Sequence, residues 1–197
     1  MFKKQPYRPT LQPNRKKIVE SILFLIEEAE HRGTHVTTYD IVKSIFVADV
    51  SHLNTYGRPV TFDNYYAMKD GPVPSDAYNM LLDEPYEFAK EVEGWPLWHK
   101  ESSPQDGANV FKYVRPKRSP NKRVLSDTDI SALTASLSII KAQTFSDTRD
   151  MTHEYAAYKE AWEARGDKQS VHMSYELLID TKDADVASDV AHASHYA

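Results

Sequence analysis

Residues 37–78 read TTYDIVKSIFVADVSHLNTYGRPVTFDNYYAMKDGPVPSDAY, and the chain is organised around them. Thr37 followed by Asp40 is a capping-box pattern, in which a hydroxyl and a carboxylate satisfy the free N–H groups of a helix start. Ile41, Val42, Ile45, Phe46, Leu53 and Tyr56 then recur at helical spacing. Gly57 supplies a left-handed position after the last turn, and Pro59 forbids continuation. Asp49 and His52 fall on the apolar face of this helix. Polar groups turned toward a core are costly unless hydrogen-bonded. The spacing therefore predicts a polar clamp between helix and exit, with Arg58, Asp63, Tyr56 or freed backbone groups as partners.

Working outward, Asn14 is placed to cap a first helix over 15–32, whose wide apolar face predicts a central helix touching neighbours on two sides. The short link 34–36 makes the first two helices expected antiparallel neighbours. The segment 1–13 has no period and reads as a loosely packed or mobile arm. Residues 60–68 are aromatic and extended by propensity, and 69–75 carry turn chemistry with Pro72 and Pro74. Ser75 is the expected cap of a short helix over 76–84, stopped by Pro85.

Residues 95–101 and 109–114 predict a hairpin around the polar loop 102–108, and this hairpin is expected to join the Tyr65 strand in one small antiparallel sheet. Ser126 with Asp129, and Thr144 with Asp147, repeat the capping-box signal. The second opens a helical pattern in which Met151, Tyr155, Tyr158 and Trp162 share a side and Gly166 closes. Beyond 166 the pattern weakens to a turn or strand at 174–179 and an Ala-rich terminal helix. The expected fold class is α+β, helix-dominated: a helical core with a small antiparallel β-sheet or hairpin. The expected divisions are an arm (1–14), a central domain (15–165) and an extension (166–197).

The chain has 197 residues, 41% hydrophobic and 27% charged, enough to bury a core. No apolar run is long enough to span a bilayer, and no secretory signal is expected at the start. The absence of cysteine excludes disulfides, thiol nucleophiles and Cys-based zinc sites, and fits a cytoplasmic location. The net charge of −5 is uneven: residues 125–197 hold 6 basic against 13 acidic residues, whereas 1–124 hold 18 against 16. Residues 115–123, with five cations, read either as an exposed linker or as a nucleic-acid patch. Neither phosphate-loop glycine pattern occurs, no G-x-S-x-G elbow occurs, and Thr152-His153-Glu154 does not complete H-E-x-x-H because Ala157 stands at its end. Asp49 and His52 could furnish two metal ligands, with Asp63 or His99 as a third. The His192 and His195 pair reads as solvated.

The ordered run Phe46-Val-Ala-Asp-Val-Ser-His52-Leu, Tyr56-Gly-Arg-Pro-Val-Thr61 and Tyr66-Ala-Met-Lys-Asp-Gly-Pro-Val-Pro-Ser75 resembles the signature of the Panacea domain. This is the domain of the SocA-like antitoxins of bacterial and phage toxin–antitoxin loci. The helix at Leu125–Asp129 and the Thr152-His-Glu segment with Trp162 also look like the family's C-terminal part. One departure is Phe62-Asp63, where the family pattern has Gly-Asp. The resemblance implies a binding module, not an enzyme, with no cofactor and no metal. Its implied partner is a cognate protein toxin, neutralised by contact or, for the SocA type, delivered to a cytosolic protease. The motif and partner-binding candidates it implies are Asp49, His52, Tyr56, Arg58, Pro59, Tyr65, Tyr66, Met68, Gly71, Pro72, Pro74 and Ser75. A DNA-binding regulator of its own locus and a metal-dependent enzyme using Asp49 and His52 stand as alternatives.

Overall fold

The computed structural model describes residues 9–82, 87–88, 92–104, 106, 110–180 and 183–197. Helix α1 (Arg15–His31) is capped by Asn14, whose side chain accepts from Lys17 N. Strand β1 (Val36–Thr37) runs directly into α2 (Thr38–Tyr56), where both halves of the Thr37–Asp40 capping box form and Gly57 ends the helix at φ 75°. Then come β2 (Tyr65–Met68), β3 (Gly71–Pro74) and α3 (Ser75–Leu81). Strands β4 (His99–Ser102) and β5 (Phe111–Val114) precede α4 (Asp127–Lys141), α5 (Phe145–His153) and α6 (Ala156–Glu163). A two-residue β6 (Val171–His172), a 3-10 turn (Tyr175–Leu178) and α7 (Ala184–Ala193) complete the chain. The fold is helix-dominated α+β, as expected.

In α2 every residue from Ile41 to Val50 is buried, so this helix has no solvent face over its middle turns. It is the wall between two cores. Ile41, Val42, Ile45 and Ala48 join a cluster with α1 and Leu133 and Leu137 of α4. Phe46, Val47, Val50 and Leu53 join a second cluster with Tyr65, Tyr158, Tyr175, Ala187 and Val190. Each fully buried aliphatic side chain contributes about 1.5–3 kcal/mol through removal from water. Helix α1 is also buried without interruption from Ile18 to Ile26, in keeping with its broad apolar pattern. Yet α1 and α2 meet only briefly; the main helix partner of α2 is α4, far along the chain.

Several expectations are corrected. The β4–β5 hairpin does not join the Tyr65 strand. Among the described residues two three-stranded antiparallel sheets form, ordered β1-β5-β4 and β3-β2-β6. Val36 stands opposite Tyr113 in the first, and Tyr66 stands between Val73 and His172 in the second. The prolines of 71–74 do not prevent pairing, because Pro72 and Pro74 lie on a hairpin edge strand where a missing N–H is tolerated. The apolar pattern of 145–165 is not one helix: Tyr155 is extended at ψ 132° and separates α5 from α6. The arm is not loose at residues 11–14. Leu11 is buried and exchanges two hydrogen bonds with the Asn64 amide, and Asn14 N donates to Thr61 O. Met173, Tyr175, Leu178, Ile179, Ala187 and Val190 belong to the second core. The Pro85 stop and part of the 102–108 loop lie outside the described residues.

Candidate functional site

Beyond Gly57 the backbone folds back along α2, and Asp49 receives it. Its Oδ1 accepts from Val60 N at 2.9 Å and Thr61 N at 3.0 Å. Its Oδ2 accepts from the Thr61 hydroxyl and, at 2.7 Å, from Tyr65 Oη. Burial pushes the carboxyl up to about 6, and these four hydrogen bonds pull against that rise. Four donors on its two oxygens favour the ionised form, and burial opposes it. The expected clamp forms through backbone and hydroxyl donors, without Arg58.

His52 faces the other side of the exit. Nδ1 lies 2.7 Å from Arg58 O and Nε2 lies 3.0 Å from Thr128 Oγ1. Since the first partner can only accept, Nδ1 carries the proton and Nε2 accepts the threonine hydroxyl. Burial lowers the imidazole's affinity for a second proton, so the Asp129 oxygen 3.3 Å from Nε2 is a neighbour and not half of an ion pair. Asp129 instead holds Lys17 Nζ at 2.7 Å and Arg58 Nη1 at 3.0 Å, while its other role is to accept from Ser126 N in the α4 capping box. Burial alone would raise this carboxyl, but Lys17, Ser126 N and Arg58 more than offset it and hold it below the usual range. One carboxylate thus ties the exit of α2 to the start of α4 and to α1.

The third buried acid, Asp63, does what Ser75 was expected to do. Pro74 occupies the cap position of α3 and no local side chain caps it. Asp63 Oδ1 accepts from Asp76 N at 3.0 Å and Oδ2 from Ala77 N at 2.9 Å, while Asn64 N also donates to Oδ1. Burial pushes this carboxyl up to about 8 against those N–H groups, with the charges of Asp76 and Asp49 adding to the rise. Sequence reasoning placed Asp63 near the clamp but missed the cap, because capping thirteen residues away leaves no local spacing.

These engagements also bear on metal binding. Asp49 and His52 turn to different partners, and no group of three His, Asp or Glu side chains suited to a metal is found among the described residues. In the basic segment, Arg118 pairs in bidentate fashion with Glu20, Arg115 pairs with Glu101, and Lys117 Nζ donates to Gly94 O. Those cations fasten the linker to α1 and the hairpin.

Of the candidate contact residues, Pro59, Tyr65, Gly71, Pro72 and Pro74 are buried, as are Asp49 and His52. Tyr56 is 56% exposed, and Arg58, Tyr66, Met68 and Ser75 are half-buried. Strand alternation explains the division: Tyr65 and Ala67 point to the core, Tyr66 and Met68 away from it. Along this outward face of β2–β3 run two hollows of about 260 Å³ each, sharing Met68, Val73 and Tyr78. The first is also walled by Tyr39, Val42 and Lys43 of α2; the second by Tyr66, Ser75 and Asn79. Lys43 was not singled out from sequence. The available signal was a lysine at helical spacing among residues of the apolar face.

Residues 41–162 match the family model described as "Antitoxin SocA-like, Panacea domain". No curated protein and no solved structure matches. The matched span starts within α2 and ends in α6, so it takes in the clamp and most of the lining of the two hollows, while Thr38, Tyr39 and Ser170 of those linings lie outside it. No helix among the described residues is long and apolar enough to cross a membrane.

Proposed function

The chain belongs to the SocA-like antitoxin family of the Panacea domain, and from that premise we propose that it neutralises a cognate protein toxin by direct binding. The family match carries this reading, since it covers most of the ordered core. The contact face we propose is the outward side of β2–β3, with Tyr66, Met68 and Ser75 at its centre and Tyr56 and Arg58 beyond the clamp. Half-buried aromatics on a hydrogen-bonded hairpin lose little entropy when a partner covers them. Asp49, His52, Asp63 and Asp129 serve this face by holding its backbone in place.

The test is to express the product of the adjacent reading frame alone and then together with this chain. Growth arrest relieved by co-expression, with a one-to-one complex on purification, is the expected result. A neighbour harmless by itself, or arrest that persists, refutes the proposal. Toxin half-life in the same cells separates blocking from delivery to a protease, because only delivery shortens it.

A further inference from the structure

The hollow beside the β2–β3 turn is walled in part by a buried lysine that meets no ion-pair partner among the described residues. Lys43 is 1% exposed, yet among the described residues its Nζ donates one hydrogen bond, to Pro72 O at 2.9 Å. It also stands over the Tyr39 ring, whose centroid lies 5.2 Å away, and its charge reaches His153. An ammonium has three N–H donors, so two meet no acceptor among the described residues. Asp70 stands at the rim of the hollow, exposed to solvent, and forms no ion pair with Lys43. A buried cation without a counter-ion is an expensive feature to retain. Burial accordingly pulls its pKa down to about 7, with Asp70 opposing.

The surroundings are shaped to keep this amine in place. A Cβ on Gly71 would lie 2.6 Å from Lys43 Nζ and 2.7 Å from Thr152 Oγ1, and the glycine is at φ +106°. The strand is stripped of its side chain where the ammonium passes. Tyr39, Val42, Met68, Val73 and Tyr78 make the apolar walls, Thr38, Lys69 and Asp70 complete the lining, and the hollow holds about 260 Å³. That is slightly below the roughly 300–1,000 Å³ of ordinary small-ligand pockets. A hollow with apolar walls, a buried and under-used lysine and a second lysine at its rim matches an anion carried on an apolar body.

We propose that this pocket binds a monocarboxylate borne on an aromatic or branched aliphatic group, with Lys43 Nζ pairing the carboxylate and Tyr39 and Tyr78 flanking the body. Such a group can come from a free organic acid or from the C-terminus of a protein chain. The site is independent of which toxin the chain binds.

Titration of the full chain with phenylacetate, followed by backbone amide shifts, tests it. Saturable shifts centred on Tyr39, Val42, Val73 and Tyr78 are expected. Phenylacetamide, which keeps the ring and loses the charge, should bind about tenfold more weakly or worse. Lys43→Met should lose about the same factor for phenylacetate while melting no lower than the parent. Equal binding of acid and amide, or undiminished binding by a folded Met variant, overturns the proposal, as does the absence of any saturable shift. Should the Met variant not fold, the Lys43 pKa is followed by NMR in the parent. It rises with phenylacetate if the proposal holds and stays put if it fails. N-acetyl-Leu-Phe with a free C-terminus distinguishes the sources: tighter than phenylacetate points to a chain end, weaker to a free acid.

Discussion

Asp49→Ala is the sharpest test of how the corner is built. It removes the acceptor for two backbone N–H groups, at 2.9 and 3.0 Å, and for the Thr61 and Tyr65 hydroxyls. The hydroxyls can rotate, but the N–H groups of Val60 and Thr61 are fixed by the backbone. Each buried donor left unpaired costs about 1–3 kcal/mol. Removing a buried charge returns part of that, so the net loss is about 3–5 kcal/mol. Against a domain stability of roughly 5–15 kcal/mol this is large, and it lowers the melting temperature by about 10 °C. Urea unfolding followed by circular dichroism at 25 °C and pH 7 measures it. A loss below about 1 kcal/mol refutes the clamp.

Asp49→Asn adds a pH test. Burial raises the folded-state carboxyl to about 6, above its unfolded value. Folded protein therefore binds more protons than unfolded protein between about pH 4 and 6, and the parent loses stability as pH rises through that window. The Asn variant cannot titrate there. Relative to the parent it should gain up to about 3 kcal/mol between pH 4 and 6.5. A constant difference across the window would show that the four donors, not burial, set the carboxyl's affinity.

Gly71→Ala should cost about 2 kcal/mol, since a Cβ would both meet Lys43 and Thr152 and adopt φ +106°; thermal unfolding that matches the parent argues against the tight approach. Phe62→Gly relieves a left-handed phenylalanine at φ 55° but empties a 3%-exposed position in the second core. Strain relief of about 1–2 kcal/mol is outweighed by about 3–5 kcal/mol of lost packing. The expected net destabilisation is about 2–3 kcal/mol, and an unchanged urea midpoint contradicts it. Tyr66→Ala should leave the melting temperature within about 2 °C, because the side chain lies on the outward face, and weaken toxin binding at least tenfold if the proposed face is the right one. Unchanged affinity, measured by calorimetry, moves the contact elsewhere.

The features legible in the chain itself are those whose partners lie within a turn of one another. Asn14, Thr37 with Asp40, Ser126 with Asp129, and Thr144 with Asp147 all cap where spacing places them. A cap needs only the geometry of three or four consecutive residues, so its signal survives in composition. The burial of Asp49 and His52 was legible for the same reason, from the apolar residues repeating around them on α2. Their partners were not. Asp49 finds its acceptors' donors eleven to sixteen residues on, and Asp63 caps a helix across a whole hairpin, both depending on how the exit folds back. Tyr155 breaks an apolar period with neither proline nor glycine; its ring packs edge-on to Phe46 at 4.9 Å, a contact made by the second core. Strand pairing was decided last and least locally. Two-residue strands such as β1 and β6 have no period to read; β1 leads directly into α2 and pairs with β5, and β6 pairs with β2 from beyond α6, so their neighbours are set by how distant elements pack.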